Sequence, residues 1–256
     1  MTARRGIFVS PFDELADPRI VAELAQRAEA AGWEGFFLWD HVNYAPPVRA
    51  LADVWVTLAA VAVVTQSVRI GPLVTPLSRR RPQKLARETV TLDQLSGGRL
   101  TLGVGLGVLD NGELEPFGEE LDPRRRAELL DEGLDRLAAF WSGEFQPPPH
   151  QSPRIPVWVA GRYHSRRRPL ARAVRWDGFF PIEVPSPDAL ARLAEEVHQG
   201  RVDAGHDAPF DLVAEIAPGA DAGPWEAAGA TWVLTSFEAG PKRRAVEAAI
   251  DLGPAG

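Results

Sequence analysis

Short apolar runs recur along the chain, and longer segments with apolar residues at helical spacing separate them. Each run is rich in Val, Ile, Leu or Phe and is bounded by glycine, proline or polar residues, as strands are. The predicted strands cover residues 6–11, 35–41, 69–76, 99–108, 157–161, 178–182, 211–217 and 231–237. The pattern therefore predicts eight strands.

Helices connect these strands, and several helix starts are marked in the sequence. Three of them have a capping side chain followed by proline at the first helical position. These pairs are Asp17-Pro18, Asp122-Pro123 and Ser186-Pro187. The predicted helices begin near residues 18, 53, 82, 123, 169, 187, 224 and 242. Such strand–helix alternation predicts a parallel sheet with right-handed crossovers.

A closed (β/α)8 barrel of the TIM type is the predicted architecture, as a single domain over residues 1–256. Barrels of this kind commonly reach about 250 residues as one domain. No low-complexity linker divides the chain, and the eight units share no sequence repeat. An open doubly wound α/β sheet remains the alternative, because alternation alone does not give the strand order.

The fourth predicted strand, RLTLGVGLGV at residues 99–108, has glycine at every second position from Gly103 to Gly107. Glycines at a strand's end let a ligand lie against the backbone, and they also let neighbouring strands crowd together. Both interpretations stay open. A dinucleotide-binding loop is disfavoured, because the third glycine of GxGxxG would fall at Val108.

The composition indicates which classes of partner the protein binds and in which compartment it works. The 256 residues carry a formal net charge of −7, contain no cysteine and have no apolar run of the ~20 residues that a membrane span needs. The negative charge disfavours nucleic acid and anionic membranes as partners. Arg4 and Arg5 precede only a short apolar run without a cleavage site, which predicts a strand and not a signal peptide. We expect a soluble cytoplasmic protein, with a homodimer as a compatible assembly.

In a barrel, functional residues lie at the carboxyl ends of the strands and in the loops that follow. That rule selects Ser10, Asp40, His41, Val74, Thr75, Leu106, Gly107, Val108, Gly161, Arg162, Tyr163, Pro181 and Glu183. His41 is the candidate catalytic residue, since imidazole moves protons near neutral pH. A structural histidine bonded to a neighbouring loop is the alternative. Because adjacent strand residues point to opposite faces, Asp40 and His41 are not expected to face one ligand.

Several other chemistries are disfavoured by the motifs. The five histidines show no metal-ligand spacing such as HExxH, so no metal site is predicted. The chain has neither a GxSxG nucleophile elbow nor a Walker-type phosphate loop.

Three arginine triplets, at residues 79–81, 124–126 and 166–168, each lie between a predicted strand end and the next helix. Cations are disfavoured near the positive end of a helix dipole. In an acidic protein, this placement favours an anionic ligand at the carboxyl face of the barrel. Pairing with neighbouring acids such as Glu119 and Glu120 is the alternative.

Six longer motifs, in this order and spacing, resemble the luciferase-like monooxygenase family. They are FFLWDH at 36–41, RIGPLVTPLSRRRP at 69–82, LDQLSGGRLTLGVGLG at 92–107, EPFGEELDPRRR at 115–126, PVWVAGR at 156–162 and ARAVRWDGFFP at 171–181. The resemblance runs from about residue 6 to residue 237. Members of that family use FMN or the deazaflavin coenzyme F420 on a TIM-like barrel, which agrees with the predicted architecture.

The resemblance also implies a cofactor site. Asp40 and His41 would lie beside the flavin ring, and a non-proline cis peptide bond would join Leu73 and Val74 behind it. The loop at residues 160–163 would bind the cofactor phosphate through its N–H groups. With the strand-end residues, the expected cofactor-binding set is Ser10, Asp40, His41, Leu73, Val74, Thr75, Leu106, Gly107, Ala160, Gly161, Arg162 and Tyr163.

The implied function is a flavin- or deazaflavin-dependent oxidoreductase of the monooxygenase type, acting on a small organic substrate with His41 moving a proton. Val108 stands where some deazaflavin dehydrogenases of the family place a carboxylic acid, so that position cannot donate a proton. A non-catalytic flavin-binding accessory protein is the alternative. A barrel hydrolase or aldolase would need a catalytic lysine or metal site, and neither is visible.

Coenzyme F420 is favoured over FMN as the cofactor. FMN has one phosphate, whereas the deazaflavin has a phosphodiester and a tail of several carboxylates. Arginine forks bind phosphate and carboxylate alike. A long anionic tail over the arginine triplets at residues 79–81 or 166–168 would explain why these triplets occupy adjacent loops.

Overall fold

The structure is a computed structural model that describes residues 2–109 and 111–254. Within these residues, nine strands and eight α-helices follow one another. The strands are β1 (Arg4–Val9), β2 (Gly35–Leu38), β3 (Arg69–Pro72), β4 (Thr75–Pro76), β5 (Leu102–Gly105), β6 (Val157–Arg162), β7 (Gly178–Ile182), β8 (Asp211–Ile216) and β9 (Trp232–Ser236). The helices are α1 (Pro18–Ala30), α2 (Val54–Val64), α3 (Pro82–Leu95), α4 (Pro123–Ala139), α5 (Arg167–Ala173), α6 (Pro187–Asp203), α7 (Gly223–Ala227) and α8 (Arg243–Leu252).

The strands form one parallel sheet that curls into a barrel. Its order is β3-β2-β1-β9-β8-β7-β6-β5-β4. β3 and β4 are two parts of the predicted third strand, which is interrupted at Leu73-Val74. A parallel bridge between Ile70 and Leu100 joins the two sides of the sheet. The predicted (β/α)8 barrel is therefore confirmed, and the open doubly wound alternative is wrong.

The predicted helix caps are confirmed. The side chains of Asp17, Asp122 and Ser186 each accept a hydrogen bond from a backbone N–H in the first turn of α1, α4 and α6, with proline at the start of each helix. Each cap satisfies an N–H that no helical carbonyl can reach. Local sequence thus sets where these helices begin. None of the helices in residues 2–109 and 111–254 has the length and apolarity to cross a bilayer.

β2 and β5 each end three residues earlier than predicted, and this shapes the mouth of the barrel. β2 stops at Leu38 rather than at residue 41, and β5 is shorter than predicted at both ends. The N–H of Trp39 still donates to Val9, but the N–H of Val42 donates to the side chain of Glu113 at 2.8 Å. A loop side chain therefore replaces the neighbouring strand as partner, and residues 39–42 leave the sheet.

Large aromatic side chains fill the barrel toward the amino-terminal ends of its strands. Phe37, Trp158 and Trp232 are buried, with ring centroids 5.3 to 5.6 Å apart. A Cβ atom at Gly35 would lie 2.7 Å from the ring of Trp232, so glycine makes room for that ring. A second apolar layer packs between the sheet and the helices. The interior is thus filled at this end, and space for a ligand remains at the carboxyl ends.

Candidate active site

A cavity of about 530 Å³ opens at the carboxyl ends of the strands. Most of the residues predicted to bind a cofactor line it. On the side of β2, β4 and β5 these are Asp40, His41, Leu73, Val74, Leu106 and Gly107. On the side of β6 they are Ala160, Gly161 and Arg162. The strand-end rule therefore selects residues that the barrel brings to one cavity.

Three residues of the predicted set, Ser10, Thr75 and Tyr163, are not among the cavity-lining residues. Ser10 is fully buried, and its hydroxyl accepts a hydrogen bond from a backbone N–H of the loop after β9. Thr75 is also buried and donates to Asp40 at 2.8 Å. The ring of Tyr163 lies against the guanidinium of Arg166, 4.4 Å from its centroid. Ser10 and Thr75 thus make protein contacts of their own, and Tyr163 packs against an arginine.

Asp40 and His41 both line the cavity, so the prediction that they face opposite sides is wrong. It assumed a strand through residue 41, but β2 ends at Leu38 and the alternation of a strand does not extend beyond it. The side chain of Asp40 is 2% exposed and that of His41 is 15% exposed. The two adjacent residues therefore present a buried carboxylate and a more accessible imidazole to the same space.

Glu113, in the loop after β5, holds the ring of His41. Its Oε2 lies 2.8 Å from Nδ1 of His41, and its Oε1 accepts hydrogen bonds from Val42 N and Arg79 Nη1, each at 2.8 Å. The carboxylate is 2% exposed. Because three groups bind this carboxylate, it cannot swing freely, and the imidazole keeps one orientation.

The protonation state of Glu113 follows from these contacts. Burial by itself raises the pKa of Glu113, but the hydrogen bond and charge of His41, the charge of Arg79 and the N–H of Val42 together hold the pKa below its usual value of 4.5. The carboxylate is ionised near neutral pH and accepts the proton of Nδ1. This assigns the Nδ1–H tautomer to neutral His41, whose Nε2 is then free to accept a proton.

Asp40 is the second carboxylate of this wall. Arg80 Nη2 donates to both of its carboxylate oxygens, at 2.7 and 2.9 Å. Arg79 Nη2 donates to its backbone carbonyl at 2.8 Å. Asp40, Glu113, Arg79 and Arg80 thus form an arginine–carboxylate cluster with balanced charge, which ties the loops after β2, β4 and β5 together. Paired charges of this kind satisfy groups that would otherwise be costly to bury.

Aromatic rings surround His41. The ring centroid of Tyr44 lies 5.1 Å from that of the imidazole, and those of Phe12 and Trp39 lie 5.8 Å away. Such contacts restrict rotation of the imidazole and keep water from its sides. Trp39 also lines the cavity, and its Nε1 is buried without a hydrogen-bond partner among the described residues. It is a donor available to a ligand.

The first two arginine triplets are largely occupied by protein groups. Arg79 and Arg80 belong to the arginine–carboxylate cluster. Arg126 is buried and donates to the carbonyls of Leu106 and Gly107, at 3.0 and 3.2 Å. The expectation of an anionic ligand therefore does not suit these three side chains. Pairing within the protein explains Arg79 and Arg80, although their partners are not Glu119 or Glu120.

The third triplet is more open. Arg166 pairs with Glu196 at 2.6 Å. Arg167 and Arg168 are exposed and form none of the ion pairs found within the described residues. They lie in the chain between Ser165 and Pro169, which both line the cavity. These two arginines remain candidates for an anionic ligand.

The glycines of β5 serve both packing and chain direction. A Cβ atom at Gly103 would lie 2.3 Å from Leu73 Cδ2 and 2.6 Å from the carbonyl oxygen of Pro72, so close strand packing requires glycine there. Gly107 has a φ of 78°, a left-handed conformation that favours glycine, and it lines the cavity. Close packing therefore explains Gly103, and approach of a ligand to the backbone stays a prediction for Gly107. The Leu73-Val74 peptide bond is cis, as the resemblance implies.

Two carboxyl groups of the cavity, Glu113 and Glu215, were not among the predicted site residues. Glu113 lies in a loop, and nothing in its spacing connects it with His41. Glu215 stands near the end of β8, where the strand-end rule could have selected it. Burial raises the pKa of Glu215 to about 7, with a hydrogen bond from Ser236 opposing the rise and the charge of Glu183 adding to it.

The chain is similar to a known family and to several known proteins. The model of the luciferase-like monooxygenase family matches residues 5–246. An uncharacterised protein of Mycobacterium tuberculosis is 30% identical, and the match covers 89% of each chain. A phthiodiolone/phenolphthiodiolone dimycocerosates ketoreductase of the same organism is 28% identical over 76% of this chain. The chain spans only 60% of the length of that ketoreductase.

Solved structures share the fold. An F420-dependent secondary alcohol dehydrogenase, in complex with an F420–acetone adduct, superposes with a TM-score of 0.80 at 18% identity, covering 98% of this chain and 97% of that one. The oxygenating constituent of a Pseudomonas putida 3,6-diketocamphane monooxygenase, in complex with FMN, gives 0.69 at 18% identity, covering 85% and 68%. Because the family model spans residues 5–246 and a relative at 30% identity covers 89% of the chain, this protein belongs to the luciferase-like monooxygenase family.

Proposed function

We propose that the protein is an oxidoreductase that binds coenzyme F420 or FMN in the cavity and acts on a small organic substrate. The observation that carries the proposal is His41, bound by an ionised Glu113 and lining a cavity of about 530 Å³ among the predicted cofactor residues. Family membership supports it. The bound cofactor would supply hydride transfer or oxygen chemistry.

The cavity residues fit a flavin-type ring. Leu73 and Val74 provide an apolar surface against which a flat ring can lie. Trp39 offers a buried indole N–H that has no partner among the described residues. At Gly161, a Cβ atom would lie 2.3 Å from Pro169, so the backbone of the proposed phosphate loop must stay free of a side chain there. A phosphate can then approach N–H groups directly.

His41 is the proposed catalytic residue. In the Nδ1–H tautomer, its Nε2 can take a proton from a substrate hydroxyl, and the imidazolium so formed can return a proton to a substrate oxygen. Glu113 stabilises the charged ring and keeps its orientation, so Glu113 acts through His41 as a positioning residue. Proton transfer of this kind contributes about 10²–10⁴-fold to a rate.

Coenzyme F420 is our preferred cofactor, with FMN as the second choice. The exposed arginines near the cavity support a longer anionic ligand than FMN. The side chain of Arg162 is 57% exposed and lies 3.8 Å from Glu183, a loose pair, and Arg167 and Arg168 are exposed. Arg79 and Arg80 are excluded as main contacts for the tail, since they bind Asp40 and Glu113.

A cofactor titration tests the proposal. We expect F420 to bind more tightly than FMN at low ionic strength, and its affinity to fall with added salt more steeply, because exposed charge pairs are screened beyond about 8–10 Å. Replacing Arg167 and Arg168 by glutamine should weaken F420 binding about threefold to tenfold, since each exposed pair contributes about 0.2–1 kcal/mol. The matched control is Arg175→Gln, at an exposed arginine just beyond the end of α5.

The outcomes separate the alternatives. Tighter binding of FMN at low salt would reverse the choice of cofactor. Binding of neither cofactor would contradict the proposed function. Cofactor binding without turnover would instead favour the accessory-protein alternative, where turnover means oxidation of the reduced cofactor by small ketones or oxygen, or reduction of the oxidised cofactor by small alcohols.

A further inference from the structure

Glu215 and Ser236 form a polar pair on the wall of the cavity formed by β8 and β9. Glu215 is the residue before the last in β8, and Ser236 is the last residue of the neighbouring β9. Both line the cavity, and the strand register pairs Glu215 with Leu234, so that Ser236, two residues further along β9, lies on the same face of the sheet as Glu215. The mechanism above uses neither residue.

The surroundings of Glu215 differ from those of the other cavity carboxylates. Within residues 2–109 and 111–254, no lysine or arginine nitrogen lies within 4.0 Å of its carboxyl group. The neighbouring charge is that of Glu183, which pairs loosely with Arg162. Burial raises the pKa of Glu215 to about 7, and the negative charge of Glu183 adds to the rise. A carboxyl group in this state carries a proton through much of the neutral range and can donate a hydrogen bond.

The rest of this wall is apolar. Phe8, Phe180, Ile182 and Phe237 line the cavity with Glu215. An anionic group placed beside Glu215 would face the carboxyl groups of Glu215 and Glu183. The cation next to Glu183 is Arg162, which is 57% exposed and already paired with Glu183, so it would offset little of the cost of desolvating that anion. A neutral molecule with one polar oxygen suits such a wall, because the apolar rings bury its carbon skeleton while one donor satisfies its oxygen.

We propose that Glu215 and Ser236 form the subsite for the oxygen atom of a neutral carbonyl or alcohol substrate, with the carboxyl group of Glu215 donating a hydrogen bond to that oxygen. This rests on the proposed function, in which the cavity also holds the cofactor. It adds the class of substrate and a residue that selects it. The other charged or titratable residues that line the cavity are Asp40, His41, Glu113, Arg162 and Arg172.

The test measures binding of cyclohexanone to the cofactor-loaded protein by calorimetry or ligand-observed NMR, with cyclohexanecarboxylate as the anionic comparison. For a group that titrates near pH 7, the protonated fraction falls about tenfold between about pH 6 and about pH 8. The wild-type affinity for cyclohexanone should fall by about the same factor. Cyclohexanecarboxylate should bind more weakly than the ketone at both values.

Three variants test whether the pH dependence of ketone binding comes from Glu215. Glu215→Gln keeps a neutral donor, so its ketone affinity should stay near the low-pH wild-type value and lose its pH dependence. Glu215→Leu should weaken ketone binding about fivefold to thirtyfold at low pH, the cost of one buried hydrogen bond. Glu238→Gln, at an exposed glutamate beyond β9, should behave as the wild type.

The affinity for the cofactor is measured in the same samples, so two failures can be told apart. Ketone binding that is independent of pH in the wild type, or a pH dependence that persists in Glu215→Gln, would overturn this inference while cofactor binding stands. Tighter binding of cyclohexanecarboxylate than of cyclohexanone would overturn it as well. Absence of cofactor binding in the wild type would instead overturn the proposed function.

Discussion

On the wall formed by the loops after β2, β4 and β5, Asp40 and Glu113 are 2% exposed and bind the guanidinium groups of Arg79 and Arg80. On the wall formed by β8 and β9, Glu215 has the hydroxyl of Ser236 and the charge of Glu183 as its neighbours. Burial favours the neutral form of Glu113 and Glu215 alike. The two walls therefore show that charged partners, rather than burial alone, decide whether a carboxyl group in this cavity is ionised.

The difference has a chemical consequence. The ionised Glu113 accepts the Nδ1 proton of His41 and leaves Nε2 as a proton acceptor. Glu215 keeps its own proton up to about pH 7 and can donate. In the proposed function, these two environments would assign proton transfer to one wall and substrate binding to the other.

Removing the imidazole of His41 should have the largest effect on the wall formed by the loops after β2, β4 and β5. His41→Ala should lower kcat about 10²–10⁴-fold and change the cofactor dissociation constant much less, because the ring acts on the proton in the transition state. Steady-state kinetics and a cofactor titration measure the two effects. His164→Ala, at an exposed histidine of the loop after β6, is the control. Wild-type turnover in His41→Ala would make His41 a structural residue.

Neutralising Glu113 should cost stability as well as activity. Glu113→Gln leaves the nearly buried Arg79 short of one anionic partner, and breaking such a pair costs about 3–5 kcal/mol in the free energy of unfolding. The pKa of Glu113 is held below 4.5, so its stabilisation is present above about pH 4.5 and is lost as the pH falls through the lowered value.

Urea unfolding of wild type and Glu113→Gln at neutral and acid pH measures this. The deficit should be largest at neutral pH and shrink below about pH 4.5. Glu115→Gln, an exposed position in the same loop, should unfold like the wild type. A Glu113→Gln deficit that is the same at every pH would contradict an ionised Glu113.

Neutralising Glu215 should change the free energy of unfolding in the opposite direction. Because its folded pKa is raised to about 7, ionisation of Glu215 opposes folding as the pH rises from about 4.5 to 7, and the full penalty is present above that range. Glu215→Gln should therefore be more stable than the wild type above pH 7, by about 1–3 kcal/mol, and equal to it below pH 4.5. Thermal unfolding of both proteins across this pH range measures the difference in stability. A Glu215→Gln variant that is less stable than the wild type at high pH would show that Glu215 is ionised and paired.

The barrel could be predicted because its signals are local. Caps such as Asp17 and Ser186 and the alternation of apolar runs act within a few residues, and both survive in the structure. The ends of β2 and β5 were predicted less well. There the N–H of Val42 finds Glu113 instead of a strand, and no short-range pattern reports that choice.

The site was predictable where the strand-end rule reaches. It placed His41, Val74 and Gly161 correctly at the cavity. Thr75, which the rule also selects, does not line the cavity and donates a hydrogen bond to Asp40. The rule also did not assign partners to the arginine triplets, since an arginine near the rim can bind either a ligand or a neighbouring carboxylate. Only the structure shows that Arg79 and Arg80 bind neighbouring carboxylates.

By itself, the sequence determined the alternation of strands and helices, the helix starts and the residues that stand at the mouth of the barrel. Only the tertiary structure decided which side chains at the mouth form hydrogen bonds or ion pairs with one another. His41 and Glu113 are 72 positions apart in the chain, yet their atoms lie 2.8 Å apart. Electrostatic interactions depend on distance through space and on burial, and neither is written in the local pattern of the chain.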